Sequence, residues 1–289
     1  MMLEWLSSPF DDFGFMRRAL VGCVAMAVGG TPVGVFMTLR NMSLTGDAMA
    51  HAILPGAAIG YLLHGLSLLS MTVGGIAAGL AVALLAGFVT RSSNIREDTN
   101  LAAFYLISLA LGVLLVSSRG NSVDLQHVLF GSILALDDAT LFLLAGIACL
   151  SLNLLLLFYR PLVLECCDPD FMRSESRLSA FVHYLFLALV VLNLVAGFHA
   201  IGTLMAVGMM ILPAAAARFW VRQLDRLILT AVGLCLLGSC AGLLFSYYVD
   251  VPSSASIILC LGLIYLLSYL LGSAQGQWQR WFPRPHLEG

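Results

Sequence analysis

The sequence predicts an all-α, polytopic helical membrane protein: a single transmembrane domain over residues 1–289 with about nine spanning helices, eight to ten being compatible with the hydropathy. Three observations carry that expectation. Charged residues make up 10% of the chain and hydrophobic residues 60%, with a mean hydropathy of +0.97. An average soluble protein is roughly 25% charged, so this chain has too few charges to cover a water-facing surface. Apolar runs of about 20 residues, the length that crosses a lipid bilayer as a helix, recur from one end to the other. Finally, the arginines between those runs fall unevenly on alternate loops.

In chain order, hydropathy and breaker residues place spans near 19–39, 44–64, 66–89, 101–118, 139–158, 180–197, 200–217, 228–247 and 254–272. The stretch "VDLQHVLFGSILAL", Val123–Leu136, is apolar but too short to cross, and is expected as a short non-spanning helix, interfacial or re-entrant. With nine spans, one set of alternate loops holds Arg40, Arg91, Arg96, Arg160, Arg173, Arg177, Arg218, Arg222, Arg226, Arg280 and Arg284. The other set holds only Arg17, Arg18 and Arg119. Eleven against three is a positive-inside bias. It puts the N-terminus outside and the C-terminus in the cytoplasm of a multi-pass protein of the cell inner (plasma) membrane. Counting 123–136 as a span scrambles the division. No soluble domain is expected; the largest polar loop, "YRPLVLECCDPDFMRSESR", is cytoplasmic in this topology.

The composition also excludes chemistry. All fourteen basic residues are arginine, so there is no Walker A lysine to hold nucleotide phosphates and no Schiff-base lysine. Any ATP hydrolysis belongs to another chain, and nothing points to nucleic acid. Seven cysteines lie mostly inside apolar runs, where cysteine behaves as a small hydrophobe. Cys166 and Cys167 sit in the polar loop without a second Cys or His pair and are read as reduced, uninvolved thiols. The acidic start "MMLEWLSSPFDDF" lacks the basic region of a signal peptide. Small residues recur every fourth position at Ala48, Ala52, Gly56 and Gly60, and again at Gly75, Gly79, Ala83 and Gly87. Such stripes let helices approach closely in a membrane.

The candidate site is in "SLTGDAMAHAILPG", Ser43–Gly56. Asp47 and His51 are one helical turn apart and leave the same face. A climb of roughly 1.5 Å per residue after Arg40 puts Asp47 in the inner third of the bilayer and His51 near its middle. A carboxylate at that depth costs on the order of 3 kcal/mol unless it is paired, protonated or bound to a cation. Pro55 has no N–H, so the carbonyl of His51 loses its helical partner and a kink is expected there. A carboxylate oxygen and an imidazole nitrogen suit a borderline divalent ion such as Zn²⁺ or Mn²⁺. Spacing alone leaves two readings open, a metal or proton site and a structural Asp–His pair that pins the kink.

Other polar groups rank below this pair. His199, in "GFHAIG", fits either a metal relay or an interfacial histidine. Asp124, His127 and His64 fit solvated outer positions. Met205, Met209 and Met210 fit packing, Pro213 is expected to free the carbonyl of Met209, and the serines of "YVDVPSSAS" after Asp250 are candidate caps of the final helix.

The stretch "LRNMSLTGDAMAHAILPGAAIG" resembles the signature R-x-M-S-L-x-G-D-A-x-x-H-A-x-x-P-G of the permease subunits of zinc/manganese/iron ABC transporters. Arg40, Met42, Ser43, Leu44, Gly46, Asp47, Ala48, His51, Ala52, Pro55 and Gly56 match it. The likeness continues in "REDTNLAAFY" (Arg96–Tyr105), "LFGSIL" (Leu129–Leu134), "GTLMAVGMMILPAAAARF" (Gly202–Phe219) and "SYYVDVPSSASI" (Ser246–Ile257). It departs at Pro252–Ser254, where the family's P-S-G reads P-S-S. The cytoplasmic D-P-x-F-A motif reads Asp168-Pro169-Asp170-Phe171-Met172, and the glycine expected downstream is missing.

The resemblance implies a homodimer with the ion path along its axis, a cytoplasmic ATP-binding subunit below and an extracytoplasmic metal-binding protein above. It implies a transport subunit, not an enzyme, with no permanently bound cofactor. The transported ion is expected to be zinc first and manganese second, with ferrous iron also accommodated. Asp47 and His51 match the family's metal positions, and the loops near Asp168–Ser179 and after Arg218 its ATPase contacts. A proton-coupled secondary carrier using the same pair is the alternative. An intramembrane hydrolase lacks an H-E-x-x-H pair or an activated nucleophile.

Overall fold

The computed structural model describes residues 9–10, 13–65, 67–92, 97–117, 133, 136–167, 171–172 and 178–274. The described residues are helical, with no strand among them. The helices are α1 (Gly14–Leu39), α2 (Ser43–Ala52), α3 (Leu54–His64), α4 (Leu68–Ser92), α5 (Glu97–Ser117), α6 (Asp138–Leu157), α7 (Tyr159–Cys167), α8 (Leu178–Ile201), α9 (Thr203–Ala217), α10 (Leu224–Val249) and α11 (Ser253–Leu271). Six of them are long and apolar enough to cross a membrane: α1, α4, α6, α8, α10 and α11. The other three expected spans take shorter or interrupted forms. The 44–64 segment is divided at Ile53 into α2 and α3. Within α5 the apolar stretch is Thr99–Gly112, and α9 is a 15-residue helix. The short helix expected near 123–136, with Asp124 and His127, falls largely outside the described residues.

The distribution of side chains is that of a protein solvated by lipid. Phe142, Leu156 and Leu229 are exposed on helix flanks, whereas Thr31, Ser151 and Asn193 are buried between helices. Asn193 on α8 donates to the Ser151 hydroxyl on α6 at 2.8 Å. Asn193 and Ser151 thus satisfy each other between helices while large apolar side chains face outward, as packing in hydrocarbon favours.

α1 is the centre of the bundle, packed on α6, α8, α9 and α10. It ends in a Schellman turn: Met42 N–H donates to the Met37 carbonyl at 2.9 Å and Asn41 N–H to that of Thr38 at 3.3 Å. Asn41, at φ 56°, takes the left-handed position that asparagine tolerates. Arg218, just beyond α9, donates to the Thr38 carbonyl at 3.3 Å. The start of α2 is therefore fixed to the end of α1 by backbone bonds.

The two proline expectations have different outcomes: Pro213 frees the expected carbonyl, whereas before Pro55 the helix breaks at Ile53 and the side-chain bond seen there is to Ala52, not His51. Pro213 lies within α9, and the Met209 carbonyl that it frees accepts the Thr31 hydroxyl of α1 at 3.1 Å. Near Pro55, the Ser108 hydroxyl of α5 donates to the Ala52 carbonyl at 3.0 Å. Gly112 of α5 provides room for Pro55, since a Cβ there would lie 3.1 Å from the proline ring.

The α3–α4 contact is closer than any side chain permits. A Cβ on Gly56 would lie 2.0 Å from the Gly74 carbonyl oxygen, and a Cβ on Gly74 would lie 2.2 Å from that of Gly56. The expected stripe through Gly75 and Gly79 turns instead toward Ile53, Val191 and Val195. A one-residue offset thus separates the face meeting α3 from the face meeting α8.

Two local expectations are corrected. The segment read as a polar loop after Tyr159 is helical as far as Cys167: Pro161 lies in its first turn, where a missing N–H removes no helical bond. Ser253 and Ser254 do not cap α11 but open it; Pro252 occupies the cap position without a side-chain bond, and the Ser256 hydroxyl donates back to the Pro252 carbonyl at 2.9 Å.

Candidate metal site

α2 is wedged against α5, α8, α4 and α9, and this packing divides its residues sharply. Met49, Ala52 and Ile53 are buried, while Asp47 opens away from the rest of the chain with its side chain 71% exposed. His51 is 33% exposed, and its Nε2 lies 3.8 Å from Asp47 Oδ1. That separation is longer than a hydrogen bond, so the two side chains face each other without closing on one another. The imidazole rests beside Tyr105 of α5, ring centroids 6.5 Å apart. His51 Nδ1 is buried with no hydrogen-bond partner among the described residues.

This geometry supplies two donors of different chemistry, one carboxylate oxygen and one imidazole nitrogen, on one turn of a kinked helix. Two donors make an incomplete shell for a transition metal. Among the described residues no three His, Cys, Asp or Glu side chains come together as a metal-holding group. His199 therefore does not join the pair within the chain. Its Nδ1 is 2.9 Å from the Val195 carbonyl one turn back, its ring stands edge-on to Phe198, and its Nε2 is buried without a partner among the described residues. His64 is engaged elsewhere: its Nδ1 lies 3.1 Å from the Ser70 hydroxyl, which donates in turn to the Gly60 carbonyl at 3.0 Å, tying α3 to α4. Met205, Met209 and Met210 are core packing.

A second polar cluster escaped the sequence reading. Arg40, between α1 and α2, buries its side chain to 9% exposure with the guanidinium 4.9 Å above the ring of Phe186. Its Nη2 donates to His183 Nδ1 on α8 at 3.0 Å and stands 3.9 Å from Glu165 Oε1 on α7. Arginine only donates, so Nδ1 is the accepting nitrogen of that ring. Glu165 is 1% exposed. The one available signal was helical spacing, since Leu162 and Glu165 share the buried face of α7. At the other end of α7, the Tyr159 hydroxyl donates to the Asp225 carboxylate of α10. The Tyr159 hydroxyl is pushed up to about 12, first by burial and then by that bond. Burial likewise pushes the Cys166 thiol up to about 12, which leaves it protonated and unreactive at neutral pH.

Residues 12–272, nearly the whole chain, match the model of the ABC 3 transport family. The chain belongs to that family. Among its relatives is the manganese import system permease protein ScaB of Streptococcus gordonii, 33% identical over 95% of this chain and 97% of ScaB. Another is the chelated iron transport system membrane protein YfeD of Yersinia pestis, 28% identical over 93% of this chain and 89% of YfeD. The fold is also that of a chain in the solved structure of PsaBC from Streptococcus pneumoniae in complex with Fab, with a TM-score of 0.82, 31% identity, and coverage of 97% of this chain and 99% of that one. Within the ABC 3 family frame, the break between α2 and α3 beside the Asp47–His51 pair becomes the point of interest.

Proposed function

We propose that this chain is the membrane-spanning permease subunit of an ATP-driven importer of a divalent transition metal, with manganese as the foremost cargo and iron next. The observation that carries the proposal is the Asp47–His51 pair: two donors 3.8 Å apart on a kinked helix, with the carboxylate turned away from its own chain. The relatives are named for manganese and iron, which favours manganese over the zinc-first order expected from the sequence. Carboxylate oxygen also suits manganese, with imidazole extending the range toward iron and zinc.

Two copies related by a two-fold axis would bring two Asp–His pairs together and complete a shell of four protein ligands. Such a shell forms between chains and opens when they separate, which is what transient holding of cargo requires. The lysine-free chain leaves ATP hydrolysis to a cytoplasmic partner subunit, and an extracytoplasmic binding protein would deliver the ion. His199 lies apart from the pair and takes the lesser role of a relay position in this scheme. The arginine bias supports the cytoplasmic C-terminus, and the nine-pass course in the inner membrane follows from the same topology.

The test is Mn²⁺ uptake into vesicles bearing the permease with its ATP-hydrolysing partner, with Fe²⁺ and Zn²⁺ as competitors. Uptake that needs ATP and is abolished by Asp47→Ala and by His51→Ala, with assembly intact, is the expected result. Uptake without the partner means a secondary carrier. Normal uptake by both variants moves the site elsewhere, beginning with His199.

A further inference from the structure

We propose that the buried Arg40–Glu165 pair is a positioning link through which α7 sets the placement of the metal-bearing helix α2; it rests on the transport reading above. The first ground is that the pair is nearly water-free and only half made. Glu165 is 1% exposed and Arg40 9%, yet their closest approach is 3.9 Å. Neither Glu165 oxygen has a hydrogen-bond partner among the described residues, nor has Arg40 Nη1. A guanidinium and a carboxylate normally close into a two-pronged, hydrogen-bonded fork at about 2.7–2.9 Å. Here the two lie roughly 1 Å short of that fork, in surroundings where unsatisfied charge is expensive. A small shift of α7 toward α1 closes the fork, and a small shift away strands both groups. An open and a closed form of this pair would supply the two arrangements required of an element that transmits movement.

The second ground is connectivity. Arg40 closes α1 and is held in the Schellman turn whose last residue, Met42, precedes α2. A displacement of Arg40 therefore carries the start of α2 with it, and Asp47 lies one turn into that helix. Glu165 sits near the C-terminal end of α7, three residues before the Asp168-Pro169-Asp170-Phe171-Met172 stretch. The opposite end of α7 is anchored to α10 by the Tyr159–Asp225 bond. With α7 anchored at Tyr159, the link requires its Glu165 end to be the end that approaches Arg40. Phe186 under the guanidinium and His183 beside it hold Arg40 on α8, so that Glu165 is the partner that moves.

The test uses vesicles containing the complete transporter and compares Glu165→Gln, which keeps the shape and removes the charge, with the double variant Arg40→Met/Glu165→Met. Three quantities are read: thermal midpoint, Mn²⁺ bound at equilibrium, and Mn²⁺ moved per ATP hydrolysed. In Glu165→Gln the Mn²⁺ moved per ATP is expected to fall at least tenfold, on the order of the loss when a supporting residue of a metal site is removed. Bound Mn²⁺ and basal ATP hydrolysis stay within about twofold, since Glu165 touches neither the ion nor the nucleotide and the link acts on the coupled movement of α2 rather than on its ligands. The double variant removes both buried charges and is expected to restore the thermal midpoint without restoring the ratio, which a purely structural pair would not do. A ratio within about twofold of the unmodified protein in either variant overturns the link. Should Glu165→Gln fail to assemble, the double variant decides. Asp47→Ala is measured alongside: normal Mn²⁺ binding and uptake there overturns the metal site, whereas a normal ratio in the Glu165 variants overturns the link.

Discussion

Asp47–His51 and Arg40–Glu165 are both loose polar pairs, separated by 3.8 and 3.9 Å, and the fold treats them in opposite ways. The first is presented: its carboxylate is 71% exposed on a helix that otherwise packs inward. The second is enclosed, with its carboxylate 1% exposed among α1, α7 and α8. A pair that opens away from its own chain is not held by that chain's packing. It is free to be optimised for a ligand. An enclosed pair without full hydrogen bonding works against folding, so its presence calls for a role beyond holding helices together. Position separates the pair proposed to bind metal from the pair proposed to transmit movement more clearly than residue type does.

The largest expected effect tests this division directly. Asp47→Asn should reduce Mn²⁺ uptake about 100-fold, while shifting folding stability by no more than about 0.5 kcal/mol, as an exposed substitution does. Glu165→Ala should show the reverse weighting. Leaving Arg40 buried without its carboxylate is expected to cost about 3–5 kcal/mol, read as a lower thermal midpoint of the purified permease. Mn²⁺ binding by the surviving folded fraction should be retained. Equal damage to stability by both substitutions breaks the contrast.

The two regions also differ in how far the sequence revealed them. Asp47 and His51 were legible because both lie within one helical turn, and helical spacing needs only local information. Pro213 was legible for the same reason: the carbonyl it frees is fixed by counting back four residues, although its acceptance of the Thr31 hydroxyl is a tertiary fact. Arg40, Glu165 and His183 lie on three elements far apart in the chain, and no period connects them. The sequence over α7 reads as part of a polar loop, although Pro161 in its first turn interrupts no helical bond. The glycine stripe through Gly75 and Gly79 was found, but the backbone contact with α3 runs through Gly74. A spacing rule identifies a small face; it does not say which neighbour arrives first.

That contact sharpens the comparison at intermediate size. Gly56 lies just beyond Pro55, and a Cβ there meets backbone that cannot turn aside. Gly56→Val should destabilise by about 1–3 kcal/mol through overpacking and displace the face that carries His51, lowering uptake as well. Gly146→Ala is the matched control: nothing lies within 4 Å of a Cβ at that position, and a helical alanine in place of glycine should be neutral or slightly stabilising. Thermal unfolding of the two variants side by side separates close helix approach from the loss of glycine as such.

The smallest effect concerns the fixed end of α7. The Tyr159 hydroxyl is pushed up to about 12 from 10.0, by burial first and by its bond to Asp225 second. Its folded form thus keeps the proton that the unfolded chain gives up more readily. The stabilisation is fully present below about pH 10, where both states are protonated. It is lost as the pH rises toward 12, because the unfolded state then binds fewer protons than the folded one. Tyr159→Phe keeps the ring against Phe36 and removes the hydroxyl. It should cost about 0.5–1.5 kcal/mol at neutral pH and flatten the alkaline fall in stability between about pH 10 and about pH 12, the interval between the unfolded and folded titrations of this hydroxyl. If α7 pivots on this bond, the variant should also lower the Mn²⁺ moved per ATP by a few-fold, less than Glu165→Gln, because the helix then loses its anchor but keeps its link to Arg40. A Tyr159→Phe protein with an unchanged alkaline slope removes the bond as the anchor and leaves Glu165 as the point through which α7 acts on α2.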